Sequence, residues 1–177
     1  LLSTIVIDAY AQKLTNYVDP FIGTAGHGHT FPGATLPFGM VQVSPDTGTE
    51  GWDWCSGDHS PDSPIVGFSH THLSGTGGAD YGDILLMPTI GAWKIQPGTK
   101  DNPASGYRSR FRHETEQASP GFYSVFLDDY KIKAELTATT RTGFHKYVFP
   151  RSPVSNIVID LGHGISDQVR ESLMQIN

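Results

Sequence analysis

Cysteine is almost missing from this chain: Cys55 is the one thiol in 177 residues. No internal disulfide framework can hold the fold, so stability has to come from a packed core, for which the length is sufficient. Basic clusters are missing as well. Twelve Lys and Arg stand against 18 Asp and Glu, the net charge is −6, and no Lys/Arg block occurs. Nucleic acids and anionic membranes need concentrated positive charge, which argues against both as partners and leaves room for a neutral one such as a sugar. There is no G-x-S-x-G elbow, no P-loop and no G-x-G-x-x-G fingerprint, so those catalytic and nucleotide-binding classes drop out. With 17% charged and 37% hydrophobic residues, the chain is neither disordered nor membrane-spanning.

What is abundant is glycine and proline, 20 and 12 residues. That balance favours a turn-rich β protein. Between Lys13 and Pro45, prolines 20, 32, 37 and 45 interrupt too often for a helix. Ile65–Phe68, Ile84–Met87 and Tyr107–Arg112 have strand length. Gly121–Leu127 reads as a strand, Asp128-Asp129 as a turn. Ile132, Ala134, Leu136 and Ala138 then alternate with Lys131, Lys133, Glu135 and Thr137, the period-two mark of an antiparallel sheet with one wet face. Gly143–Phe149 and Asn156–Leu161 continue the series. Strands about every ten residues indicate an all-β, antiparallel β-sandwich. Ser166–Met174 is the one weak helix candidate. At the start, the apolar run Leu1 to Ile7 ends in Ala9-Tyr10-Ala11, the way a secretory signal peptide ends. Residues 1–11 are therefore read as a signal remnant and 12–177 as the domain. The end at Gln175-Ile176-Asn177 carries no closing signal and reads as part of a longer polypeptide.

Chemistry concentrates between Tyr17 and Pro88, where glycines sit beside polar and aromatic groups in segments that read as binding loops. His27/His29 and His70/His72 are two H-x-H pairs. On a strand each pair would share a face and could grip one metal, and the four together would suit Zn²⁺. The alternative is that they hydrogen-bond backbone or ligand hydroxyls, and no carboxylate stands at a familiar ligand spacing. In Gly51-Trp52-Asp53-Trp54-Cys55-Ser56-Gly57, an indole face suits the C–H face of a sugar and Asp53 could accept from vicinal hydroxyls. The alternative is a core Trp with a turn Asp. Cys55 could pair with His27 or His70 as a nucleophile, though a small buried thiol is the commoner case. Among the carboxylates Asp46, Glu50, Asp53, Asp58, Asp62, Asp80 and Asp83, none is marked by context as a glycosidic acid–base pair.

Taken together, six motifs in order carry a resemblance. They are Tyr17–Thr24, Gly26–Ala34, Leu36–Gln42, Gly51–Gly57, Gly67–Gly75 and Gly82–Pro88. The chain resembles the N-terminal domain of glycoside hydrolase family 92, the exo-acting α-mannosidases of secreted bacterial glycan-degrading systems. The resemblance implies a supersandwich-like β-sandwich followed by a C-terminal (α/α)6 barrel, and an inverting, Ca²⁺-dependent reaction. The catalytic carboxylates and the calcium ligands would lie mainly in that barrel, outside this chain, so no catalytic residue or metal ligand is assigned here. Trp52, Asp53, Trp54, Cys55, His27, His29, His70 and His72 are the expected substrate-binding residues. The expected partners are a mannose-containing glycan and the catalytic domain of the same polypeptide, with a secreted, periplasmic or cell-surface location. Two other functions stay open: a free-standing carbohydrate-binding β-sandwich, and a hydrolase with a His-ligated metal. Ala25 departs from the glycine expected in Gly23-Thr24-Ala25-Gly26, which matters only if that backbone needs positive φ.

Overall fold

A computed structural model describes residues 13–166 and 169–176. The proposed signal remnant, residues 1–11, lies outside them. Eleven strands occur in chain order among the described residues: β1 (Ala34–Thr35), β2 (Gln42–Asp46), β3 (Pro64–Ile65), β4 (Gly67–Ser69), β5 (Leu85–Ile90), β6 (Ser109–Arg110), β7 (Gln117–Ser119), β8 (Phe122–Leu127), β9 (Ile132–Ala138), β10 (Gly143–Val148) and β11 (Ser155–Asp160). A five-stranded sheet has the order β1-β2-β4-β5-β11 and a four-stranded sheet the order β10-β9-β8-β7; β3 and β6 pair separately. Every pairing is antiparallel. The β-sandwich expectation holds.

The second sheet is where residue pattern and structure agree best. Along β9, Ile132, Ala134, Leu136 and Ala138 are buried, while Lys133 and Thr137 are exposed. Tyr123, Val125 and Leu127 of β8 join them and pack against Ala34, Val43, Phe68, Leu85 and Met87 of the first sheet. Each fully buried side chain of this size contributes about 1.5–3 kcal/mol. This core is the rigid base beneath the loops.

Three expectations change. Ile65–Phe68 is not one strand. Val66 donates its N–H to Asp46 O at 2.7 Å, and this break sends β3 and β4 into different sheets. Tyr107–Arg112 shrinks to β6, because Tyr107 and Arg108 donate their N–H groups to Gln96 and Pro97 of a loop instead of to a strand. In the Ser166–Met174 segment, the described residues carry no helix. The Tyr17–Pro88 stretch holds strands where its short apolar runs indicated them. Its strands β4 and β5 run through the interior, with Phe68, Leu85 and Met87 sealed from solvent.

Candidate functional site

Three loops converge on one another. The first, Gly23–Thr30, closes on itself through Thr30 N–H to Gly23 O (3.3 Å) and the Thr30 hydroxyl to Ile22 O (2.9 Å). Gly28 is obligatory there: a Cβ would sit 2.1 Å from Gly23 O. Positive φ falls on Gly23, Gly26 and His29, and Ala25 is not among the residues that need it, so the alanine is harmless. The second loop is a 3-10 turn, Trp52–Trp54, entered through Gly51 at φ +96°. The third runs through Gly75 and Gly77. The carbonyl of His29 ties all three together, accepting from the Ser56 hydroxyl and from Gly75 N–H, each at 2.5 Å.

This tie brings four of the expected residues into one cluster. His27 Nδ1 lies 2.6 Å from Asp53 Oδ1, and His29 Nε2 lies 4.0 Å from the same oxygen. Trp52 packs its ring on both imidazoles, centroid to centroid 4.8 Å from His27 and 4.6 Å, edge-on, from His29. Its indole N–H donates to Gly77 O at 3.0 Å. Trp52 nevertheless stays 58% exposed. The cluster therefore offers a pinned aromatic platform beside a carboxylate and an exposed imidazole, with His29 buried beneath.

The other four expected residues go elsewhere. Trp54 does not share a face with Trp52, because the segment is a 3-10 turn of three residues per turn and not a strand. Its indole N–H donates to buried Asp62 at 2.7 Å, its ring packs on His59, and Lys100 sits over it. Cys55 is buried and its thiol donates to Trp52 O at 2.7 Å; no His pairs with it, and burial pushes the thiol pKa up. Cys55 is the small buried thiol, the commoner of the two readings. The four-histidine zinc reading is corrected. His72 is buried, with Nε2 2.7 Å from Asp46, whose other oxygen takes His163 at 2.8 Å. His70 instead meets His145, nitrogen to nitrogen at 3.0 Å. The two pairs never converge.

The carboxylates divide in the same way. Burial alone would raise Asp46, but His72 and His163 outweigh it and hold the carboxyl well below the usual range. Gly57 permits this by its missing side chain, since a Cβ there would collide with Asp46 Oδ1. Asp58 is pushed well above the usual range, by burial first and then by the charges of Glu116, Asp46 and Asp62. Asp62 holds Trp54 and Lys100, and Asp83 accepts from the Thr71 hydroxyl at 2.9 Å. Sequence reasoning gave no role of their own to Ser56 and Asp62, which it named, and passed over Gly77, His145 and His163. A signal existed for His163, which stands in Gly162-His163-Gly164, glycine-flanked as His27 is in Gly26-His27-Gly28.

Comparison with known proteins converges on one family. Residues 17–177 match the model of the glycosyl hydrolase family 92 N-terminal domain. A secreted glycosidase of Arthroderma benhamiae is 33% identical over 156 residues, covering 86% of this chain and 19% of the relative. A family GH92 alpha-mannosidase from Bacteroides thetaiotaomicron, solved with mannoimidazole, is 47% identical with a TM-score of 0.85, covering 87% of this chain and 20% of that one. A family GH92 inverting mannosidase from the same organism is 30% identical with a TM-score of 0.70, covering 85% and 20%. The chain thus spans about a fifth of the length of these relatives.

Proposed function

The chain belongs to glycosyl hydrolase family 92 and carries its N-terminal domain; from that premise we propose that it is part of a secreted, inverting exo-α-mannosidase and forms one wall of the sugar pocket. The observation that carries this reading is Trp52, held by Gly77 and backed by two imidazoles, yet still 58% exposed beside Asp53. An indole face packs on the C–H face of a pyranose, and a carboxylate accepts from its hydroxyls. The Trp52 N–H is already committed to Gly77, so the sugar meets the ring face. His27, with 68% of its side chain exposed, supplies a further polar group at the rim. The acid and base of an inverting reaction, about 6.5–9.5 Å apart, belong in this reading to polypeptide outside the chain.

The same holds for calcium. The one described cluster with metal-ligand spacing is His27, His29 and Asp53. Ca²⁺ takes oxygen ligands, six to eight of them, and a set with two imidazole nitrogens does not fit it. No step of this reading runs through calcium held by this chain. Export is supported by the apolar run ending in Ala9-Tyr10-Ala11 and by the name of the A. benhamiae relative. No helix among the described residues is long and apolar enough to cross a membrane.

The test is Trp52→Ala in the enzyme that contains this chain. Loss of the platform is expected to weaken transition-state binding of an α-mannoside by about 1–3 kcal/mol, a fall in kcat/KM of roughly 5- to 150-fold. An unchanged kcat/KM in a folded variant overturns the assignment of this wall.

A further inference from the structure

The cluster of His27, His29 and Asp53 has a feature that sugar binding does not explain. His29 Nε2 is sealed from solvent and has no hydrogen-bond partner among the described residues. An unsatisfied buried nitrogen bears its desolvation penalty uncompensated, and this one lies nearest the Asp53 oxygen that His27 already holds, at 4.0 Å against 2.6 Å. The three ligand atoms lie within 4.8 Å of one another. We propose that His27 Nδ1, His29 Nε2 and Asp53 Oδ1 form a binding site for a divalent transition cation of the zinc type.

The geometry favours this. Around a tetrahedral ion with bonds of roughly 2.0–2.1 Å, neighbouring ligand atoms stand about 3.3 Å apart. The two distances to Asp53 Oδ1 straddle that value, one below and one above. Side-chain adjustment has to even out these two distances and to draw the two imidazole nitrogens, no more than 4.8 Å apart, toward the same spacing. His27, the most exposed of the three, is free to make it. His29 is already held, by its carbonyl bonds to Ser56 and Gly75 and by the edge of Trp52 against its ring. Two imidazole nitrogens and one carboxylate oxygen suit Zn²⁺, leaving its fourth position to water. The same set disfavours Ca²⁺ and Mg²⁺. Metal binding here does not depend on the sugar reading. Its consequence does: the ion takes Asp53 and His27 from the sugar, so zinc antagonises hydrolysis.

The test is titration of the purified, metal-stripped protein with Zn²⁺ by calorimetry, and with Co²⁺ by its visible absorption. One equivalent is expected to bind, with the intense absorption of a tetrahedral Co²⁺ site. His27→Ala, exposed and therefore compatible with folding, and Asp53→Asn should each weaken binding by about tenfold or more. His70→Ala should leave it unchanged, although His70 faces His145. Absence of saturable binding overturns the proposal. So does binding that survives His27→Ala, or binding that His70→Ala removes. Binding as expected, with kcat/KM indifferent to zinc, keeps the metal site and overturns the sugar-wall reading instead.

Discussion

At His27 and His29 two imidazoles converge on one carboxylate, at a surface where Trp52 stays open to solvent; at His70 and His72 the same H-x-H spacing sends two imidazoles apart. His72 turns inward to Asp46, with the Ser69 hydroxyl on the same imidazole nitrogen and His163 on the other Asp46 oxygen, and His70 turns to His145 on the opposite sheet. The difference lies in the surroundings of each pair. His27 and His29 sit on a loop that glycines let fold back on itself. His70 and His72 leave the end of β4, between two packed sheets, where each nitrogen must find a partner or bear the desolvation cost. One pair keeps an imidazole, His27, at the surface; the other is tied to Asp46 and His145 inside the fold.

The largest effect expected from this contrast is on stability. Asp46→Ala leaves His72 and His163 buried without their acceptor and should cost about 3–5 kcal/mol. His27→Ala, at the surface, should stay within about 0.5 kcal/mol. Denaturant unfolding of both variants measures it, and equal costs would erase the distinction. A smaller effect is expected at Gly77. It lies at φ +63°, and a Cβ there would stand 3.2 Å from both His29 Nδ1 and Trp52 Nε1. Gly77→Ala should cost about 1–2 kcal/mol of backbone strain and disturb Trp52, seen as a shift in its fluorescence; a silent variant would show that the third loop does not position the platform. The smallest effect is in pH. Burial, with the charge of His70 behind it, lowers His145 from its ordinary 6.5 to about 3. Folded His145 stays neutral where the unfolded chain takes up a proton, so protons favour unfolding. Its stabilisation is present above 6.5 and is lost as pH falls through that window toward 3. His145→Phe should flatten the acid limb of the stability curve, and an unaltered limb would mean that His145 is not held neutral.

Much of the second sheet was legible because burial there tracks the strand period. Ile132, Ala134, Leu136 and Ala138 alternate with wet residues, and β8 to β10 stand close to their expected places. The first sheet was harder to read. β2 carries Pro45 and one buried acid, and β1, β3 and β4 are two or three residues long, too short for any periodicity. In the candidate site, the loop Gly51–Gly57 was recognisable from its tryptophans. The split between Trp52 and Trp54 was not, because it depends on a 3-10 turn that no propensity marks. Gly77 and His145 lie 25 and 75 residues from the groups they contact, Trp52 and His70, and no local pattern encodes such distances.

By itself, then, the chain of residues determined an antiparallel β-sandwich without an internal disulfide and the glycine-rich segments that carry its aromatic and imidazole groups. Alternation and composition act locally, so they can be read locally. Only the tertiary structure decided that His27 meets Asp53 at the surface while His72 and His163 are sealed against Asp46. That choice is made by desolvation, which depends on what the rest of the molecule packs over each nitrogen and not on its neighbours in sequence.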